Sequence, residues 1–380
     1  MDIKNIIAAI SLSALVLILY SLFFAPPPPD LNEQKNKIEN TKNNSDISSP
    51  KIEKKVETKV ISRDSALDLN ERIKIENNNI IGSISLKGAI IDDLIFKKYT
   101  TELNSNQNVI LLNPTSMEEG YFVESGWSST DKNIELPNNS SIWTARGNNK
   151  LTPNNPVVLE WINKQGIIFT NTYQLDEKYL VKLNQKIENK SDSTFDFYPY
   201  AQIIRNTKPE VTNFYILHEG MLGVFNDELE EQDYDDIDEK KFSVNSSDGW
   251  LGITDKYWIT ALVPDKNKNF KSEFEYENRY KANFIITDPY ESKPNQTVSN
   301  DIKIFVAAKE VEIIDGYAES ENINKFDLAI DWGWFYFFTK PLFFVIDYFF
   351  KLTGNFGIAI ILITACIRII FFPLANYSFR

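Results

Sequence analysis

The feature that most constrains this chain is the apolar run at residues 356–375, which carries a single charge, Arg368. A run of this length can cross the roughly 30 Å hydrocarbon core of a bilayer as a helix. A guanidinium near the bilayer centre costs about 2.5–3.5 kcal/mol on insertion scales. A chain keeps such a group where it snorkels to the membrane surface or faces something polar. Which of these applies to Arg368 decides the function of the whole chain.

The aromatic-rich segment before this run, residues 332–350, admits two interpretations. A transmembrane helix would place Lys340 and Asp347 in hydrocarbon, which is costly. An amphipathic helix lying flat at the headgroups would turn its aromatic side chains toward lipid and these charges toward water. We favour the flat interfacial helix, assigned to residues 326–353. Residues 354–380 then begin a membrane core.

The N-terminal region predicts an anchor followed by a tether. Residues 1–25 are mostly apolar and continue without a small-residue cleavage site, which favours an uncleaved transmembrane signal anchor over a cleaved peptide. Lys4 weakly favours a cytoplasmic N-terminus. Four prolines then stop the helix, and the linker at residues 26–59 is rich in Asn, Lys, Glu and Ser, which indicates disorder.

The long middle region, residues 60–325, has the pattern of an all-β domain. Its short alternating runs are rich in Ile, Val, Tyr, Phe and Thr and are separated by turn residues. We predict strands at residues 80–96, 109–112, 121–127, 157–161, 167–173, 179–187, 195–204, 250–254, 257–263, 270–276, 280–286 and 302–307. A dozen strands without intervening helices predict a large antiparallel sandwich. Residues 311–329 have helical spacing and should lead from the sandwich to the membrane.

Composition excludes several kinds of site. The net charge of −13, without a strong basic patch, argues against nucleic acid as a partner. The single cysteine, Cys366, permits no disulfide within the chain, and with the single histidine, His218, no His/Cys metal cluster. Residues 227–239 hold nine acidic residues but lack the spacing of a calcium loop, so we predict a solvated surface loop. No cofactor is expected.

The depth of Arg368 follows from the predicted topology. An anchor running outward and a helix at residues 356–375 running inward would leave the sandwich outside the inner membrane. Seven residues separate Arg368 from Ala375, so the arginine lies about 10 Å above the cytoplasmic end of the helix. An arginine can snorkel part of that distance. Spacing alone leaves snorkelling and a functional polar pocket equally open, and Pro373 should limit the continuation of the helix.

Several segments together resemble one family. These are residues 354–361 (GNFGIAII), Arg368 and residues 372–376 (FPLAN); residues 331–335 (DWGWF) and 339–342 (TKPL); residues 249–258 (GWLGITDKYW); and residues 1–5 (MDIKN) before an uncleaved anchor. Taken together in chain order, these segments are similar to the YidC family of bacterial membrane protein insertases, most closely its alphaproteobacterial members. The resemblance covers the whole chain, and its membrane-proximal motif is the most specific part.

The resemblance implies a function. The family's periplasmic domain is an antiparallel β-supersandwich related in shape to sugar-mutarotase folds, and α-helical membrane segments follow it. Arg368 would be the groove arginine, in a hydrated cavity that receives polar or acidic parts of nascent membrane proteins. The implied partners are these substrates, the Sec translocon and the lipid bilayer. The implied location is the bacterial inner membrane, which a multi-pass protein of this kind would cross several times. No bond is made or broken, so no enzyme activity is implied.

The resemblance also implies more chain than this sequence has. Family members continue past the position of Arg380 through a cytoplasmic hairpin and four further transmembrane helices. A groove needs walls from those helices, so we expect this sequence to be partial.

Two other functions remain as alternatives. A carbohydrate-processing enzyme would need paired acid/base groups, and His218 alone is better interpreted as an ordinary surface or loop residue. A membrane-anchored binding or scaffold protein, without insertase activity of its own, would use the sandwich to hold other envelope proteins.

Overall fold

A computed structural model describes residues 61–209, 217–333 and 335–378. The predicted anchor at residues 1–25 and the linker at residues 26–59 lie outside the described residues. The described chain is mostly β-sheet with a few helices, as the alternating pattern predicts.

Twenty strands form the body of the described part of the chain. In chain order they are β1 (Arg72–Glu76), β2 (Ile80–Ser85), β3 (Ile90–Thr100), β4 (Asn108–Leu112), β5 (Tyr121–Ser129), β6 (Thr144–Arg146), β7 (Lys150–Leu151), β8 (Val157–Ile162), β9 (Ile167–Leu175) and β10 (Leu180–Asn189). The second half comprises β11 (Phe195–Arg205), β12 (Gly220–Phe225), β13 (Glu228–Asp233), β14 (Phe242–Ser246), β15 (Gly249–Thr254), β16 (Trp258–Val263), β17 (Phe270–Tyr276), β18 (Tyr280–Ile286), β19 (Tyr290–Ser292) and β20 (Thr297–Ala308).

The strands make two sheets. The eleven-stranded sheet has the order β14-β17-β18-β11-β5-β3-β2-β1-β7, with β4 on β3 and β19 on β11. The nine-stranded sheet has the order β13-β12-β15-β16-β20-β10-β9-β8-β6. Among the described strands every pairing is antiparallel except the short contact between β1 and β7. The predicted antiparallel sandwich is confirmed.

Aromatic side chains join the two sheets face to face. Phe96 of β3 stacks on Trp258 of β16 with ring centroids 4.9 Å apart. Phe169 of β9 meets Phe197 of β11 edge-on at 6.1 Å. These residues belong to one continuous apolar core drawn from both sheets. Because each buried side chain of this size contributes roughly 1.5–3 kcal/mol, alternation along the strands fixes which face turns inward.

The acidic segment at residues 227–239 is not a loop, so this prediction is wrong. Residues Glu228–Asp233 form β13, which pairs along its length with β12 at the edge of the nine-stranded sheet. Helix α2 (Tyr234–Glu239) follows and buries Tyr234 and Ile237; the short helix α1 (Arg63–Leu67) precedes β1. Acidic side chains suit an edge strand because they discourage pairing with another sheet.

The region after β20 is helical and belongs to the sandwich. Helix α3 (Val311–Ser320) buries Tyr317, whose hydroxyl donates a 2.6 Å hydrogen bond to Asp176 Oδ2. The 3-10 turn at Phe326–Ala329 places Phe326 edge-on to Trp250 at 5.2 Å. The helices predicted within residues 311–329 are therefore present, and they pack on the nine-stranded sheet.

Two longer helices end the described chain. Helix α4 (Tyr336–Thr353) begins at Tyr336 rather than at residue 326, because residues 326–329 are buried in the sandwich as the 3-10 turn. Gly354 ends it in the left-handed conformation that favours glycine, with φ of 66°. Helix α5 (Phe356–Ser378) covers the predicted span and continues past Pro373.

Two glycines should respond oppositely to alanine. Gly249 has φ of +138°, and a Cβ there would lie 1.8 Å from the carbonyl oxygen of Val224, so Gly249→Ala should lower the free energy of unfolding by at least about 2 kcal/mol. Gly316 lies within α3 and a Cβ would meet nothing within 4 Å, so Gly316→Ala should raise it by about 0.5–1 kcal/mol. Denaturant unfolding in detergent, followed by circular dichroism, measures both. Equal effects would contradict the backbone conformation at Gly249.

Candidate functional site

Helix α5 is the described helix that is long and apolar enough to cross a membrane. Its stretch Phe356–Pro373 meets the criterion by length and composition. In this stretch only a small share of the surface is covered by the rest of the chain. A helix satisfies most of its backbone hydrogen bonds internally, as hydrocarbon requires, although Pro373 has no N–H to donate.

The covered part of α5 is a single stripe, which we call the packed stripe. Its members recur at helical spacing: Ala359, Leu362, Ile363, Cys366 and Ile367. Ala359 is fully buried and Ile363 nearly so. Helix α4 contacts α5, and the rings of Phe350 and Phe356 meet across the turn at 6.0 Å. The remaining faces of α5 are open.

Arg368 lies on the face opposite the packed stripe. It follows Ala359 by nine residues, or about two and a half turns. The two positions are therefore about 180° apart around the helix axis. Its side chain is exposed in the structure. The arginine is therefore directed away from α4, and the described part of the chain leaves this face uncovered.

Thr364, which the sequence analysis did not single out, lies one turn before Arg368 on this open face. Its hydroxyl donates a 2.7 Å hydrogen bond to the carbonyl of Ile360, so the group is satisfied within the helix. A threonine can sit in hydrocarbon in this way without another partner. The i, i+4 spacing of Thr364 and Arg368 was available in the sequence as a signal.

Helix α4 carries its charges along one edge. Lys340, Asp347 and Lys351 are seven and four residues apart, which places them within about 40° of one another around the helix. Large apolar side chains with high exposure cover a neighbouring face, among them Phe337, Phe344, Tyr348 and Leu352. Exposed apolar side chains lie on the other sides of α4 as well, so the charges form one narrow edge on an otherwise apolar helix.

Lys340 lies between two carboxylates of the sandwich. Its Nζ is 3.1 Å from Asp315 Oδ1 of α3 and 2.8 Å from Asp327 Oδ2 of the 3-10 turn. The ammonium also lies 5.7 Å from the centre of the Trp332 ring. Burial by itself lowers the pKa of Lys340, but hydrogen bonds and attraction from Asp327 and Asp315 outweigh it and raise the pKa above its ordinary value.

Lys351 makes similar pairs at the other end of α4, in a wetter setting. Its Nζ is 2.6 Å from Glu312 Oε1 of α3 and 2.8 Å from Asp347 Oδ2 one turn back. The side chain of Lys351 is 59% exposed, against 20% for Lys340. Exposed pairs contribute little to stability, so the two lysines should differ in importance.

The connection between sandwich and α4 is also hydrogen-bonded. Asp331 Oδ2 accepts from the backbone N–H of His218 at 3.2 Å, and its Oδ1 accepts from Gly333 N–H at 2.8 Å. Trp332 Nε1 donates to the carbonyl of Asp327, and Thr339 Oγ1 donates to that of Trp332 at 2.7 Å.

His218 is placed in an extended segment before β12. Its ring nitrogens lie 3.0 Å from Asp233 Oδ1 and 3.0 Å from the carbonyl oxygen of Met221. Both nitrogens are thus engaged in local structure, at a loop position as predicted. Among the described ranges, 61–209, 217–333 and 335–378, no cluster of three or more His, Cys, Asp or Glu side chains could hold a metal ion.

Lys309 is a largely buried lysine near this junction. Its Nζ donates a 2.8 Å hydrogen bond to Thr254 Oγ1. Burial lowers its pKa to about 8, although the carboxylates of Asp255, Asp331, Glu219 and Glu231 act in the opposite direction. Burial thus makes the Lys309 ammonium easier to deprotonate than an exposed lysine, and the nearby carboxylates only partly offset this effect.

Comparison with known proteins identifies relatives of the whole chain. The family model of the YidC periplasmic domain matches residues 72–345. Membrane protein insertase YidC of Pelagibacter ubique is 55% identical over 383 residues, covering all of this chain and 68% of that protein. The protein of the same name from Rickettsia bellii is 39% identical, with the same coverage, and that from Mesorhizobium japonicum is 35% identical over 99% of this chain and 66% of its own length.

Solved structures show more distant likeness. A galactose mutarotase related enzyme from Lactobacillus acidophilus is 12% identical, covers 62% of this chain and 97% of its own, and has a TM-score of 0.44. A galactose mutarotase-like protein from Lactobacillus casei has a TM-score of 0.42 at 10% identity, over 62% of this chain and all of its own.

Lys309 predicts a pH dependence of stability. Below pH 8 the lysine is charged in folded and unfolded chains, and its burial costs free energy. Between pH 8 and 10.5 the folded chain releases the proton while the unfolded chain keeps it, so this group raises the free energy of unfolding as pH rises. The stability advantage of Lys309→Met over wild type should therefore shrink by about 1–2 kcal/mol between pH 7 and 9.5.

Denaturant unfolding in detergent at both pH values measures this difference. Lys132→Met, which removes an exposed lysine, controls for the loss of a charge. A difference for Lys309→Met that stays constant across the range would contradict the assignment.

Proposed function

Because the chain belongs to the YidC family of membrane protein insertases, we propose that it helps other membrane proteins to enter the bacterial inner membrane through a groove that contains Arg368. In this proposal α5 spans the bilayer and its open face forms one wall of the groove. The substrates are nascent membrane proteins with polar or acidic segments that must move through hydrocarbon.

The observation that carries the proposal is the direction of Arg368. The arginine lies opposite the packed stripe, so the α4 contact neither buries nor neutralises it. Its face remains available to further helices and to a substrate. An arginine kept only to anchor the helix end would need no particular face, whereas a groove arginine must point away from the helix that packs behind it.

Electrostatics supports the assigned role. Moving an unpaired polar group into hydrocarbon costs several kcal/mol. A hydrated groove with a guanidinium in the inner leaflet lowers this cost, because it offers water and an opposite charge to an acidic segment. The apolar helix of the substrate then moves into lipid. The chain makes or breaks no covalent bond in this scheme, so it acts as an insertase and chaperone rather than as an enzyme.

The topology follows from the same scheme. In this scheme α5 crosses the membrane as one span of a multi-pass protein. The sandwich lies in the periplasm, and α4 lies along the outer surface of the inner membrane. Its apolar face with Phe344 and Tyr348, beside a charged edge, supports this placement of α4.

We also propose that the sandwich contacts the Sec translocon. The support is the family resemblance. This role would make the scaffold function one part of the insertase function rather than a rival to it. Site-specific photocrosslinkers on exposed positions of β13 test the contact, and the absence of any Sec product would remove this part of the proposal.

Arg368→Ala should reduce insertion of substrates with acidic translocated segments by about tenfold or more, because about 1.4 kcal/mol or more of stabilisation is lost. Substrates without acidic segments should be affected less. The measurement is insertion of both substrate types by the reconstituted protein in vesicles.

A double variant that moves the arginine by one position distinguishes a groove arginine from a snorkelling arginine. The double variant Arg368→Ile with Ile369→Arg keeps composition and nearly keeps depth, but moves the charge about 100° around α5. The groove requires one face, so insertion should remain as low as in Arg368→Ala. A snorkelling arginine needs only depth, so full activity of the swap would contradict the groove.

A further inference from the structure

We propose that Lys340 is a positioning residue, which fixes the angle and rotation of α4 relative to the sandwich by placing its ammonium group between Asp315 and Asp327. The proposal makes the charged edge of α4 a docking surface for the sandwich. It concerns the junction and not the groove, although its consequence for insertion rests on the proposed function.

The two carboxylates belong to rigid parts of the sandwich. Asp315 lies on α3, next to Tyr317, which is nearly fully buried; its ring meets that of Phe305 at 4.8 Å. Asp327 follows Phe326, which is fully buried between Phe305 and Trp250. A side chain that contacts both carboxylates is therefore held by the core of the nine-stranded sheet.

The contact from α4 is specific in rotation. Only a setting that turns the edge of Lys340, Asp347 and Lys351 toward α3 brings the ammonium to 3.1 Å and 2.8 Å from its partners. The same setting leaves Tyr348 and Leu352 exposed, at about 80° and 120° around the helix from Lys340. The ion-pair cluster thus fixes which edge of α4 faces the sandwich.

The chain between sandwich and α4 does not act as a free hinge in this arrangement. Trp332 donates back to Asp327, Thr339 donates back to Trp332, and Asp331 accepts from His218. The Trp332 ring lies beside the Lys340 ammonium, where its face attracts a cation. Contacts of Lys340 and Trp332 therefore both restrict movement of α4 relative to the sandwich.

Lys351 provides a control that the chain itself offers. It lies on the same helix edge, carries the same charge and also contacts two carboxylates. Its side chain is 59% exposed, so water screens its pairs and replaces them at little cost. If general charge on α4 were sufficient for docking, the two lysines would be equivalent; the proposal requires that they are not.

Distances between spin labels on the sandwich and on α4 test the docking directly. Labels are placed at Ile162→Cys on β8 and Leu352→Cys on α4, both exposed, in a Cys366→Ala background reconstituted in vesicles. The unmodified junction should give one narrow distance distribution. Lys340→Gln should broaden or shift it, with the docked population lowered relative to undocked by about fivefold or more.

The control variants decide the interpretation. Lys340→Arg keeps the charge and should restore the narrow distribution, and Lys351→Gln should leave it unchanged. A narrow, unshifted distribution in Lys340→Gln would overturn the proposal, as would equal broadening in Lys351→Gln. Circular dichroism and unfolding of each variant show whether the sandwich itself remains folded.

Insertion assays on the same variants give the functional consequence. Lys340→Gln should slow insertion of substrates with and without acidic segments alike, because it alters the position of α4 and not the charge of the groove. Arg368→Ala should affect acidic substrates selectively and leave the distance distribution unchanged. If Arg368→Ala has no selective effect but Lys340→Gln changes the distances, the proposed groove is wrong and the proposed role of Lys340 stands. The reverse result would contradict the role of Lys340 alone.

Discussion

The cost of placing a charge in hydrocarbon is the constraint on which this structure depends. Helix α5 carries one guanidinium and places it on the face that its neighbour does not cover. Most backbone hydrogen bonds of α5 lie within the helix, so its faces can differ. One face packs on α4, and the other is left for groups that can satisfy Arg368. The proposed groove is a consequence of this asymmetry.

The sandwich solves a different problem, that of burying a large apolar surface without a membrane. Two antiparallel sheets share one aromatic core, and the helical segment after β20 is locked onto that core by Tyr317 and Phe326. This makes the end of the sandwich rigid where the membrane segments begin. Charges placed there, such as Asp315 and Asp327, can then hold α4 in a defined orientation, which the same residues on a mobile loop could not do.

Some elements could be predicted from the sequence and others could not. Strands β17 and β18 have the predicted bounds because each is a short run rich in strand-forming residues that ends at turn residues. The sequence did not predict β12, which is fully buried but contains two glycines, or the acidic β13. The glycines and the acidic side chains disfavour strands locally, and the pairing between β12 and β13 depends on tertiary structure. For the candidate site, Arg368 was found as the one charge in an apolar run. Its direction was not, because direction depends on where α4 packs.

The sequence by itself determined the membrane span, the all-β domain and the family, because local periodicity and short motifs carry these properties. Tertiary structure alone decided that Arg368 points away from the packed stripe and that Lys340 meets Asp315 and Asp327. Both results join residues of separate elements whose spatial relation no local pattern encodes. The register of the sheets and the packing of α3 set that relation, through contacts between positions far apart in the chain.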